Sequence, residues 1–252
     1  MRLLRAGLFN GFMWSSGLVL SLWCVLTSRR EPARVLAVAK LWARLCLRAL
    51  RLLCGIGFEV KGLENLPDGG AIIAAQHQSA MDIFIWLAVL PLPAFVFKRE
   101  LARIPLFGPM LVPGGMIPVN RGGGGAALQE MIAGCTAALA AGRQVVIFPQ
   151  GTRVAPGERA PLRHGIAALA RACGAPVLPA ATDSGLRWGP RSFGKRAGTA
   201  RLKIFPALAP GLERAAIIAA LGDVFYETGL ETASQPGSSM TTRRPPPGRS
   251  DR

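Results

Sequence analysis

The sequence predicts an α/β fold: a single domain with a mixed, mainly parallel sheet flanked by helices, preceded by an N-terminal membrane helix and a basic amphipathic helix. Three observations carry this prediction. Short apolar runs alternate with helix-length periodic segments across residues 55–230, the pattern of strands joined by crossover helices. No charged residue interrupts the stretch between Arg5 and Arg29, which at about 1.5 Å per residue is long enough to cross a hydrocarbon core of about 30 Å. Lys40, Arg44, Arg48 and Arg51 then recur at helical spacing among leucines. The chain divides accordingly into membrane-anchoring helices over 1–54, an α/β domain over 55–230 and a basic tail over 231–252, where Ser, Thr, Pro, Gly and Arg dominate and disorder is expected.

Composition narrows the class of partner. Half of the 252 residues are hydrophobic, and 30 Lys and Arg against 14 Asp and Glu give a net charge of +16. The expected partners are therefore anionic, an anionic membrane first among them. Nucleic acid is not expected: Tyr226 is the sole tyrosine, no aromatic stacking platform is visible, and much of the charge sits beside the membrane segment. Five scattered cysteines (Cys24, Cys46, Cys54, Cys135, Cys173) form no Cys-x-x-Cys pair and read as reduced thiols facing the cytosol.

In chain order, residues 6–28 form the membrane segment, with Asn10, Ser15, Ser16 and Ser21 making a shallow re-entrant or interfacial helix the alternative to a span. Arg29-Arg30-Glu31 follows without a small-residue cleavage site in reach, so an uncleaved anchor is expected. The heavier positive flank predicts an inner-membrane protein whose main domain faces the cytoplasm. Residues 33–53 form the basic amphipathic helix. On an anionic bilayer each basic residue close to the surface contributes about 1 kcal/mol; the plainer alternative is a solvated face on a core helix.

Strands are predicted over 58–62, 71–75, 94–98, 116–119, 144–148, 176–181 and 202–205, the last near the sheet edge. Helices are predicted over 83–90, 126–141 and 162–173, with a short amphipathic piece over 101–110 broken by Pro105 and Gly108. Gly122 to Gly125 either gives flexibility or lets backbone N–H groups approach a phosphate. No nucleotide-binding fingerprint surrounds it.

The strand over 71–75 runs into Gln76-His77-Gln78-Ser79-Ala80-Met81-Asp82, which puts His77 beyond a strand's carboxyl end, where open α/β folds bind ligands. On one helix, five residues turn by about 500° and would separate His77 from Asp82. They meet if His77 lies in the turn and Asp82 in the helix, with Ser79 and Asp82 forming a capping box. His77 then reads as a general base and Asp82 as its orienting carboxylate, or Asp82 only caps the helix. After the strand over 144–148, Gly151, Thr152 and Arg153 form a turn with a hydroxyl, a guanidinium and room for close backbone approach, features suited to phosphate.

Together these turns resemble the glycerolipid acyltransferases, specifically the bacterial 1-acyl-glycerol-3-phosphate acyltransferases. His77 to Asp82 is similar to the family's His-x4-Asp motif. Lys98-Arg99-Glu100-Leu101 with Val119-Asn120-Arg121 is similar to its acceptor-binding motif, Phe148-Pro149-Gln150-Gly151-Thr152-Arg153 to its third motif and Val177-Leu178-Pro179-Ala180 to its fourth. The resemblance implies acyl transfer from acyl-CoA or acyl-carrier protein to the 2-hydroxyl of lysophosphatidic acid, making phosphatidic acid for phospholipid synthesis. It implies His77 as base, Asp82 orienting it, and Arg121, Gly151, Thr152 and Arg153 around the acceptor phosphate, with Lys98 and Arg99 assisting. Neither cofactor nor metal is implied. Gln150 stands where the family usually has Glu, and Gln76 where it has Asn, which bears on the acceptor. The alternatives are another lysolipid acceptor, such as a lyso-ornithine lipid, and a non-catalytic protein that binds anionic membranes.

Overall fold

A computed structural model describes residues 1–27, 31–104, 108–120, 122–227 and 230. Arg121 and the tail expected over 231–252 lie outside the described residues. Two long helices, α1 (Arg2–Thr27) and α2 (Pro32–Cys54), lead into β1 (Ile56–Lys61). The domain continues with β2 (Ala71–Ala75), α3 (Met81–Val89), β3 (Pro93–Lys98), α4 (Gly108–Leu111), β4 (Ile117–Val119) and α5 (Gly124–Ala140). It closes with β5 (Gln144–Ile147), α6 (Gly165–Cys173), β6 (Val177–Thr182), β7 (Gly198–Ile204) and α7 (Arg214–Tyr226).

The strands form one sheet in the order β1-β7-β6-β2-β5-β3-β4. Among the described residues β6 and β7 are the antiparallel pair, and the other neighbours run parallel. The sheet is therefore mixed and mainly parallel, as the alternation of elements predicts. β7 lies near the edge, as expected, one strand in from it, with β1 paired to it in parallel outside. Strand β2 is central and wholly buried, as a continuous run of Ala and Ile should be when helices cover both faces. Its side chains alternate between two cores. Ala71, Ile73 and Ala75 face Leu50, Phe84 and Ile85 of α2 and α3, while Ile72 and Ala74 face Met131, Ile166 and Leu221 of α5, α6 and α7. Each buried isoleucine contributes about 1.5–3 kcal/mol. This two-sided grip fixes the point at which β2 releases the chain at Gln76.

The N-terminal helix is docked along the domain. Ala6, Phe9 and Cys24 turn inward, whereas Leu4, Leu8, Trp14, Leu18 and Leu22 stay exposed. Lys195, itself buried, donates to Asn10 Oδ1 at 2.8 Å with its ammonium over the rings of Trp188 and Phe9. The Trp42 indole of α2 donates to Ser16 Oγ at 3.3 Å. Asn10 and Ser16, which weaken α1 as a free span, are thus its attachment points. α1 is the one described helix long and apolar enough to cross a membrane. Of the basic residues on α2, Arg44, Arg48 and Arg51 are exposed, but Lys40 is not available to a lipid surface: its ammonium donates to Leu90 O and Pro91 O at the end of α3. The left-handed Gly55 (φ 68°) ends α2 and turns the chain into β1.

Candidate active site

The carboxyl ends of β2, β5, β3 and β4 open onto a cavity of about 470 Å³. His77 follows β2 and lines it, together with Lys98 at the end of β3, Asn120 after β4, and Gly151, Thr152 and Arg153 after β5. Arg163, just ahead of α6, contributes a third cation to the wall, and none of the described lining residues is acidic. Arg99 points elsewhere: its guanidinium pairs with Glu130 of α5, and it does not line the cavity.

His77 Nδ1 lies 2.9 Å from Asp82 Oδ2. The pair meets as the spacing predicts, with His77 in the turn and Asp82 in the first turn of α3. The capping box forms by halves. Asp82 Oδ2 accepts the backbone N–H groups of Gln78 and Ser79, each at 2.9 Å, but Ser79 Oγ takes the N–H of Met81 rather than that of Asp82. Asp82 therefore both caps α3 and holds the imidazole, so the two readings of this residue are compatible. Its side chain is fully buried, and Ser184 Oγ, arriving after β6, donates to Oδ1. With donors on both of its oxygens, Asp82 is placed to accept from Nδ1, the arrangement that favours the tautomer of a neutral imidazole whose acceptor is Nε2.

The rest of His77 is equally constrained. Its ring stacks on Phe148, with centroids 4.0 Å apart and planes 20° apart. Its backbone N–H donates to Gln150 Oε1 at 2.7 Å and its carbonyl accepts from Val154 N at 2.9 Å. Gly151 adopts φ 70°, a backbone conformation that glycine takes without strain, and its N–H returns to Phe148 O at 2.9 Å. That tight turn swings Thr152 and Arg153 over the same opening as His77.

A second cavity of about 220 Å³ lies between α1, α2, α3 and β3 and is lined almost wholly by apolar side chains, among them Leu20, Leu36, Trp42 and Met110. It shares Ile83, Phe95, Phe97 and Leu101 with the first. The site thus adjoins an apolar pocket through those four shared side chains, with His77 on the wall of the cationic cavity alone. Among the described residues, no three His, Cys, Asp or Glu side chains gather as a metal would need. Ser184, Arg163 and the apolar pocket are absent from the sequence reading. Arg163 alone had a local signal, a basic residue just ahead of a helix.

A family model described as Acyltransferase matches residues 57–183. The 1-acyl-sn-glycerol-3-phosphate acyltransferase of Pseudomonas aeruginosa is 35% identical over 176 residues, 70% of this chain and 68% of that protein. Its counterpart in Borreliella burgdorferi is 34% identical over 139 residues, 54% of this chain and 55% of that protein. Among solved structures, the LPA acyltransferase PlsC from Thermotoga maritima shares the fold with a TM-score of 0.74 at 23% identity, covering 94% of this chain and 98% of that one. The chain belongs to the Acyltransferase family and is an O-acyltransferase.

Proposed function

We propose that the chain transfers a fatty acyl group from the thioester of acyl-CoA or acyl-carrier protein to the 2-hydroxyl of 1-acyl-glycerol-3-phosphate, yielding phosphatidic acid. The observation that carries this reading is the His77–Asp82 pair at 2.9 Å, with His77 on the wall of a cavity that also holds Lys98, Arg153 and Arg163 and that adjoins an apolar pocket. The similarity to 1-acyl-sn-glycerol-3-phosphate acyltransferases supports the acceptor.

In the reaction, His77 Nε2 takes the proton of the acceptor hydroxyl as its oxygen attacks the thioester carbonyl. Asp82 holds the imidazole in the needed tautomer and stabilises the imidazolium. When the tetrahedral adduct collapses, the C–S bond breaks and the thiolate leaves with the proton from Nε2. The thioester is already activated, so the chemistry needs no cofactor and no covalent enzyme intermediate. Arg153, Thr152 and Lys98 hold the acceptor phosphate, Gly151 allows its close approach, and Arg121 serves the same anion. Arg99, paired with Glu130, is left to steer anions from outside the cavity. The apolar pocket suits an acyl chain.

Both acceptor and product are lipids, which accounts for the exposed apolar residues of α1 and for Arg44, Arg48 and Arg51 on α2. We place the protein on the cytoplasmic membrane, with the catalytic domain facing the cytoplasm. The test is acyl transfer by purified protein in liposomes, using labelled acyl-CoA or acyl-carrier protein and lysophosphatidic acid. Wild type should form phosphatidic acid and His77→Ala should not. Acylation of a phosphate-free lysolipid in preference to lysophosphatidic acid would overturn the acceptor assignment.

A further inference from the structure

His77 is held by its main chain as well as by its ring, and the main-chain hold leads to the other end of the domain. Gln150 Oε1 accepts the His77 N–H, while Gln150 Nε2 donates to the Tyr226 hydroxyl at 3.2 Å. The Tyr226 hydroxyl donates to Ala160 O and accepts from Ala160 N, both at 3.1 Å. One residue earlier on α7, Phe225 O accepts from Gln76 Nε2 at 3.1 Å, and Gln76 Oε1 accepts from Thr182 N. Both glutamine side chains belong to residues only 3% exposed, and they flank His77. One precedes it in the chain and the other takes its N–H. Two consecutive residues of α7 are thereby tied to both sides of His77.

We propose that Tyr226 is a positioning residue for His77 and acts through the neutral amide of Gln150. This rests on the reading of His77 as the general base. The hydrogen-bond bookkeeping explains why the intermediary is an amide. Tyr226 has one hydroxyl proton, committed to Ala160 O, so any further partner must be a donor. The same partner must offer an acceptor to the His77 N–H. An amide presents both at its two ends, whereas a carboxylate presents only acceptors. With glutamate at position 150, the tyrosine proton must leave Ala160 O, and that partly buried carbonyl loses its partner. Release of the His77 main chain moves the ring off Phe148 and lengthens its contact with Asp82.

The test is a kinetic double-mutant cycle with Tyr226→Phe and Gln150→Glu, alongside His77→Ala. Tyr226→Phe should lower kcat about tenfold, on the scale of one buried hydrogen bond, with the KM for lysophosphatidic acid within about twofold of wild type. Gln150→Glu should lower kcat at least as far, and the double variant should be no slower than Gln150→Glu alone. Additive losses, or a raised KM with unchanged kcat, would show that Tyr226 only buttresses the loop carrying Arg153 and would overturn the proposal. If His77→Ala turns over like wild type, the reading of the base fails. If it is dead while Tyr226→Phe keeps wild-type kcat, the positioning role alone fails. Because Tyr226 is the only tyrosine, fluorotyrosine labelling gives a single fluorine resonance from this ring. It should move in Gln150→Glu, and a resonance that stays in place overturns the link without relying on the stability of Tyr226→Phe.

Discussion

Ser184 donates its hydroxyl to Asp82 Oδ1, on the carboxylate oxygen that His77 does not use. Ser184 is itself buried and is fixed in turn by its N–H on Thr182 Oγ1 at 3.1 Å. Ser184→Ala leaves Oδ1 without that donor where water cannot replace it. The expected result is about 1–3 kcal/mol less stability and a kcat several-fold lower, read from thermal melting and steady-state rates. A variant with unchanged Tm and kcat would show that the hydroxyl contributes nothing to Asp82.

Asp82→Asn should be far more severe. Oδ2 accepts two backbone N–H groups and the imidazole, so an amide nitrogen placed there faces donors only, and the alternative rotation turns it toward the Ser184 hydroxyl. Loss of the orienting carboxylate is expected to lower kcat on the order of 10²–10⁴-fold, with KM little changed. Retention of more than a tenth of wild-type kcat would remove Asp82 from the mechanism.

Arg153 and Arg163 line the same cavity from within one stretch, Pro149 to Arg163, closed by the Arg163 N–H on Pro149 O at 2.8 Å. Each replacement by Ala should raise the KM for lysophosphatidic acid roughly tenfold, about the worth of one charge-assisted hydrogen bond. Neither should affect a phosphate-free lysolipid acceptor. Equal losses on both acceptors would place these residues outside phosphate recognition.

The apolar pocket gives a separate handle, because Ala39 of α2 lines it without touching the cationic mouth. Ala39→Phe puts a ring into a space of about 220 Å³. Turnover of long-chain acyl donors should fall while short-chain donors are still used. A uniform loss across chain lengths would separate this pocket from the acyl chain.

Burial pushes the thiols of Cys46 and Cys135 up to about 12, so neither forms thiolate near pH 8, and the thiolate is the reactive form. Cys173 is only half-buried. Alkylation of native protein followed by mass spectrometry should label Cys173 first and leave Cys46 and Cys135 intact until denaturant is added. Early labelling of Cys46 would mean that α2 does not pack as described.

What could be read from the residues follows the range of the interactions involved. The strand at Ala71–Ala75 and the meeting of His77 with Asp82 are local, and the apolar run and the turn spacing announced both. Helix α7 is not legible in the sequence although Ile217, Leu221 and Phe225 recur at intervals of four on its buried side, because alanines and Gly222 blur the stripe. β7 does lie near an edge, but its parallel pairing with β1, about 140 residues earlier, has no local signal. The Ser184–Asp82 and Gln150–Tyr226 contacts join residues 102 and 76 positions apart. No local pattern encodes such pairings; the sheet order creates them.

The docking of α1 and α7 also sets an order of events during synthesis. The chain is made from its N-terminus, so the apolar helix α1 is complete long before β2 and β5 can bring His77 and Gln150 together. Tyr226, which ties them to the last described helix, is translated after both. The hydrogen-bonded frame around His77 is therefore the last part of the domain to close, completed only once α7 has packed.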